Sequence, residues 1–151
     1  MGLKIGDNVP FFTSVDSFGN NFEIRDYIGN PLVIYFYPKD YTPGCTTQAC
    51  GFRDQYQDFK DLGAEIIGIS SDNIESHTKF KDKYNLPFIL LSDENKSIRK
   101  MFGVSRDYIG LIDGRTTFIV DKKGIIQFVF DSISAKNHIE KALKIVQELT
   151  K

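Results

Sequence analysis

The sequence predicts an α/β fold: a central mixed β-sheet flanked by helices. Three features lead there. Apolar strand-like runs and helical patterns follow in the order strands, then β-α-β-α-β-α, then a hairpin, then a helix. The run from Pro31 to Tyr37 is continuously apolar, which suits a central strand covered on both faces. The last stretch places Ile139, Ala142, Leu143, Val146 and Leu149 on one helical face. Strand–helix–strand units imply a parallel core, and the hairpin adds antiparallel strands.

In chain order, Phe11 to Val15 and Asn21 to Ile24 read as short strands around the turn Asp16-Ser17-Phe18-Gly19-Asn20. The central strand from Pro31 to Tyr37 leads into a helix that carries both cysteines. Phe52, Tyr56, Phe59 and Leu62 form its apolar stripe. Leu62-Gly63 ends it, and Ala64 to Ser70 is a second buried strand. Asp72 is the expected N-cap of a helix from about Asn73 to Tyr84. His77 within it, and His138 in the last helix, are expected to be structural or exposed, and no catalysis is assigned to either. Leu86-Pro87 breaks the third helix. Phe88 to Leu91 makes a third short strand of the core, Ser97 to Met101 a short helix, and Gly103 to Gly114 a loop. Arg115 to Val120 and Ile125 to Phe130 flank Asp121-Lys122-Lys123-Gly124 as a hairpin. Ser134 is a candidate cap of the final helix.

At 151 residues the chain is expected to be one domain, 1–151. Its 41% hydrophobic and 26% charged content is that of an ordinary globular protein. A net charge of −1 and a pI near 6.1 give no support for nucleic acid or an anionic membrane as partner. The N-terminal stretch MGLKIGDNVPFF has no long apolar run, so neither a signal peptide nor a transmembrane helix is expected. Gly6 stands where a myristoylation motif would want Ser or Thr. The expected location is cytoplasmic. In a reducing compartment a close cysteine pair is catalytic or redox-sensing rather than structural.

Both cysteines lie in Pro38 to Cys50, PKDYTPGCTTQAC, five residues apart. Two thiols cannot fill a tetrahedral zinc site, so no metal is expected. Thr42 is a good N-cap residue, and Pro43 then falls at the first helical position, where proline is favoured. Cys45 falls in the first turn, where free backbone N–H groups and the helix dipole favour negative charge. A free thiol titrates near ~8.5, and a helix N-terminus lowers that value. Cys45 is therefore placed as an activated nucleophile, and Cys50, more than a turn further in, gains less. On an intact helix, residues five apart have Cα atoms roughly 8–9 Å apart, whereas a disulfide needs about 7 Å or less. Pairing Cys45 with Cys50 thus requires the turn to unwind. Gly51 makes that easier, since glycine inside a helix costs ~1 kcal/mol relative to alanine. The opposing reading is two buried cysteines acting as small apolar residues.

This segment resembles the peroxiredoxins, and within them the group called bacterioferritin comigratory protein or peroxiredoxin Q. The P-x-x-x-T-x-x-C motif appears as Pro38, Thr42 and Cys45, the second cysteine as Cys50, and the following F-R-D as Phe52-Arg53-Asp54. The resemblance extends over nearly the whole chain. Gln48 departs from it, standing where many relatives carry Glu. The resemblance implies a thioredoxin-like fold in its peroxiredoxin elaboration. It implies a thiol peroxidase for hydrogen peroxide and organic hydroperoxides, with Cys45 as peroxidatic and Cys50 as resolving cysteine. It implies that the Thr42 hydroxyl hydrogen-bonds the peroxide, that Pro38 shapes the loop and shields the sulfur, and that Arg115, before Thr116-Thr117-Phe118, supplies a cation. Spacing alone does not distinguish Arg115 from Arg25, Arg53, Arg99 or Arg106. Tyr37 and Phe36 line the pocket or belong to the core. A thioredoxin-like protein is the implied reductant, and no haem, flavin, metal or other cofactor is needed. An intrachain resolving cysteine removes the chemical need for a dimer, so a monomer is expected. Two other readings use the same pair: a thiol–disulfide oxidoreductase, and a redox-sensing module in which unwinding exposes a binding surface.

Overall fold

A computed structural model describes residues 3–37, 39–40, 43–104, 106–107, 112–113, 116–131 and 135–150, and of these the side chains of all but 43–45, 106–107, 112–113, 131 and 135–137. A first hairpin, β1 (Thr13–Asp16) and β2 (Asn21–Glu23), closes through Asp16, whose carboxylate accepts from the Phe18 and Asn20 N–H groups. Ile24, expected in the second strand, instead begins a 3-10 turn over Ile24–Tyr27. The Glu23 carboxylate accepts from Arg25 N–H there and caps the turn, so the chain turns before a longer strand can form.

The core is the succession β3 (Leu32–Phe36), α1 (Pro43–Asp54), α2 (Tyr56–Asp61), β4 (Glu65–Ser70), α3 (Ile74–Tyr84), β5 (Ile89–Ser92) and α4 (Ser97–Phe102). A short ribbon follows, β6 (Arg106–Asp107) with β7 (Ile112–Asp113), then the hairpin β8 (Thr116–Val120) and β9 (Ile126–Asp131), and last α5 (Ala135–Leu149). Seven strands form one sheet in the order β2-β1-β5-β4-β3-β8-β9. The pairs β3–β4 and β4–β5 are parallel; β1–β2, β1–β5, β3–β8 and β8–β9 are antiparallel. This is the mixed sheet that the element order predicts.

All five residues of β3 are buried, as a central strand requires. Val33 and Tyr35 face one core layer, with Ala49 and Phe52 of α1, Phe59 of α2, Phe80 of α3 and Ile139, Ala142 and Val146 of α5. Leu32, Ile34 and Phe36 face the other, with Phe12, Phe22 and Ile24 and with Ile98 and Phe102 of α4. Gly68 in β4 serves the first layer: a Cβ there would lie 2.8 Å from the Tyr35 ring and 2.9 Å from Leu90.

Three further expectations are corrected. The cysteine-bearing helix does not run unbroken to Leu62. Gln55 (φ −100, ψ 4) divides it into α1 and α2. The bend keeps Phe52 and Phe59 both wholly buried and lets the Tyr56 hydroxyl donate to Glu65 Oε1 at 3.2 Å. The N-cap of α3 is Asn73, not Asp72. Asn73 is extended (φ −80, ψ 172) and its side chain accepts from Ser76 N–H, while the Asp72 carboxylate is taken by Asp40 N–H and the Ser70 hydroxyl. The stretch expected as a loop from Gly103 to Gly114 contains the β6–β7 ribbon, whose two-residue strands are too short to leave an alternating pattern. The proposed cap Ser134 lies outside the described residues.

Candidate active site

β3 carries the chain to the end of the sheet where its own C-terminus lies, and α1 follows from there. The β3–β4 ladder continues one residue beyond the strand, with Tyr37 N–H donating to Ile69 O at 3.1 Å. β8 begins at the same end, Thr116 standing opposite Phe36. α1 then starts at Pro43, the first-turn position that proline favours, which puts the Cys45 backbone in the first turn. The helix continues through Cys50 to Asp54, and Cys50 is a half-buried free thiol. Among the expected site residues, Pro38, Thr42 and Arg115 lie outside the described residues, as does the Cys45 side chain. Gln48, where the sequence departs from its resemblance, is wholly buried on α1.

Gly51 has a packing role that its helix propensity does not show. A Cβ there would overlap Ile139 Cδ1 and lie 3.3 Å from Ile139 Cγ1, so the bare backbone lets α5 approach α1 next to Cys50.

Between β3 and α1 the chain is tied down by a buried network that the sequence reading did not anticipate. The Tyr37 hydroxyl donates to Asp40 Oδ1 at 2.7 Å. Burial first, and the neighbouring Asp40 charge second, push the Tyr37 hydroxyl well above its usual titration range, so it stays a donor. Asp40 Oδ2 accepts from the Ser76 hydroxyl at 2.9 Å and meets His77 Nδ1 at 2.7 Å. The Asp40 N–H donates to Asp72 Oδ2 at 2.7 Å, and the Ser70 hydroxyl donates to the same oxygen at 2.7 Å. On the α4 side, Arg99 Nη2 donates to the Tyr37 carbonyl at 3.0 Å, with its guanidinium over the Phe36 ring. Tyr37 and Phe36 are thus core residues, and Tyr37 also brings a polar end to the loop. His77 and His138 are both fully buried, the latter bonded to the Thr117 hydroxyl at 2.6 Å.

Asp40, Asp72 and His77 bring ligand-type atoms within 4.8 Å of one another. Those atoms already serve one another and Ser70, Ser76, Tyr37 and Leu91, so the cluster is a hydrogen-bond network rather than a cation site. Among the described residues, no helix is long and apolar enough to cross a membrane.

Residues 5–129 match the model of the AhpC/TSA family. The chain is 48% identical to the chloroplastic peroxiredoxin Q of Sedum lineare over 145 residues, 95% of this chain and 78% of that one. It is similar to the crystal structure of the peroxidoxin BcpB from Mycobacterium tuberculosis, with a TM-score of 0.91, 33% identity and 99% of each chain covered. It is also similar to the Xanthomonas campestris bacterioferritin comigratory protein, whose structures address alkyl peroxide reduction (TM-score 0.87, 30% identity, 93% of this chain and 92% of that one). These neighbours identify the sheet and its helices as the thioredoxin-like fold of the peroxiredoxins. The expected cytoplasmic location is corrected: the curated peroxiredoxin Q relatives of Sedum lineare, rice and Arabidopsis thaliana are named as chloroplastic proteins.

Proposed function

The chain belongs to the AhpC/TSA family, in its peroxiredoxin Q and bacterioferritin comigratory protein group of thiol peroxidases, and from that premise we propose that it reduces hydroperoxides through Cys45 and Cys50. One observation carries the reading: a single helix, α1, holds Cys45 in its first turn, soon after the C-terminal end of β3, and the free thiol Cys50 five residues on.

The Cys45 thiolate attacks the terminal oxygen of hydrogen peroxide or an organic hydroperoxide. The S–O bond forms as the O–O bond breaks, and water or an alcohol leaves after taking up a proton. Cys45 is then a sulfenic acid. Helix N–H groups, the Thr42 hydroxyl and Arg115, the residue before β8, stabilise the charge developing on the leaving oxygen. Pro38 shields the sulfur from water. The turn between the two cysteines unwinds, and the Cys50 thiol condenses with the sulfenic acid, releasing water and forming the intramolecular disulfide. A thioredoxin-like dithiol protein reduces that bond by exchange. The alkyl peroxide activity named for the Xanthomonas protein supports including organic substrates. The whole chain acts as one domain, and a monomer suffices because both cysteines are on one chain.

The test is a pair of variants. Cys45→Ser abolishes peroxide consumption. Cys50→Ser retains one fast turnover, loses thioredoxin-driven cycling and over-oxidises. Full thioredoxin-coupled activity in Cys45→Ser would overturn the assignment.

A further inference from the structure

We propose that Asp40 and His77 are positioning residues for the peroxide step, clamping the loop between β3 and α1 to the start of α3 so that the first turn of α1 is held in its reactive form. The proposal rests on the reading of Cys45 as the peroxidatic residue. Asp40 lies three residues before the start of α1 and five before Cys45. It is 3% exposed, yet its carboxylate takes three side-chain hydrogen bonds and its own N–H makes a fourth contact, to Asp72. A carboxylate buried this far is tolerated only when so supplied.

His77 ties the clamp to two further elements. Its Nδ1 faces the Asp40 carboxylate at 2.7 Å, and its Nε2 faces the Leu91 carbonyl oxygen at 2.9 Å. Buried hydrogen bonds of this kind are costly to leave unmade. They join the loop to α3, and through Leu91 to β5. These elements do not have to move when α1 unwinds. The clamp thus fixes the upstream end of the segment whose downstream part opens to bring Cys50 to Cys45. Losing it should slow peroxide attack, which needs the ordered turn, and leave disulfide formation, which needs the opened one, unhindered.

The experiment separates those two steps in reduced, folded protein by rapid quench, alkylation and mass measurement. Asp40→Ala is expected to lower the second-order rate with hydrogen peroxide by about tenfold or more, the scale of a misplaced reacting group. Asp40→Asn keeps the shape and part of the bonding, so it recovers part of the rate. His77→Gln lies in the same range, and Asp40→Ala/His77→Gln is no slower than the slower single variant, because the two act as one unit. Disulfide formation is undiminished in all of them. A folded Asp40→Ala protein with the wild-type peroxide rate, or one slowed equally in both steps, would overturn the proposal. If Asp40→Ala does not fold, Tyr37→Phe and Ser76→Ala each remove one bond to the same carboxylate; unchanged peroxide rates in both would also overturn it. Cys45→Ser is run alongside: peroxide consumption surviving there counts against the Cys45 assignment, whereas its loss there with normal rates in the Asp40 variants counts against the clamp alone.

Discussion

Gly51 offers a direct handle on the unwinding of α1. Alanine at an unhindered helix-interior glycine stabilises the helix by about 1 kcal/mol. Here the added Cβ would overlap Ile139 Cδ1, and overpacking of a filled core costs about 1–3 kcal/mol. Gly51→Ala alone is thus expected to gain nothing or to lose stability. Ile139→Val removes the Cδ1 atom and leaves the 3.3 Å neighbour, which needs to give only a few tenths of an ångström. The informative comparison is Gly51→Ala/Ile139→Val against Ile139→Val, since the roughly 0.5–1.5 kcal/mol lost by trimming isoleucine is common to both. With the clash relieved, the ~1 kcal/mol of helix propensity remains, and it opposes opening by a factor of about five. Disulfide formation after sulfenate should slow by that factor in the double variant, while the peroxide step is unchanged. The assay is rapid acid quench after a hydrogen peroxide pulse, with the sulfenate and disulfide forms resolved by mass. A resolution rate in the double variant equal to or faster than in Ile139→Val would refute the claim that α1 must unwind.

Two further outcomes follow from packing and charge. Phe52 is wholly buried, stacked on Tyr35 at 4.8 Å and next to Phe59 at 5.9 Å, so Phe52→Ala should destabilise the protein by about 3–5 kcal/mol in urea unfolding; a loss under about 1 kcal/mol would contradict this packing. Burial alone would push the Asp121 carboxyl up, but hydrogen bonds from Ile125 N–H, the Gln127 amide and Lys123 N–H outweigh it and hold it below its ordinary value. A folded-state value below the unfolded one gives stability that is present above the unfolded value and lost as pH falls through the folded one. The advantage of wild type over Asp121→Asn in urea unfolding should therefore shrink below about pH 4, and a constant difference between pH 7 and 3 would contradict the bonding.

What the sequence made legible was local or periodic. The unbroken apolar run through Tyr37 announced a central strand, and the Thr-Pro-Gly-Cys order announced where a helix would begin. The five-residue cysteine spacing placed both cysteines on that one helix. What escaped it was long-range or a choice between chemical equals. Asp72 and Asn73 are both good caps, and only the three-dimensional demand of Asp40 N–H on Asp72 decides between them. His77 and Asp40 stand 37 residues apart in the chain and leave no periodic trace of their 2.7 Å contact. Arg99 looked like any of several arginines until its guanidinium was found at the Tyr37 carbonyl. Gly51 read as a weak point of the helix, whereas α5 gives it a second role that only tertiary packing reveals.

The central claim is that one peroxide molecule consumes both thiols of one chain. Mixing the reduced protein with one equivalent of hydrogen peroxide in a stopped-flow instrument, followed by a free-thiol count and an intact mass, tests it most directly. The account predicts rapid loss of both thiols and a mass lower by about 2 Da, the loss of two hydrogens in an internal disulfide. Survival of both thiols after long exposure would contradict it.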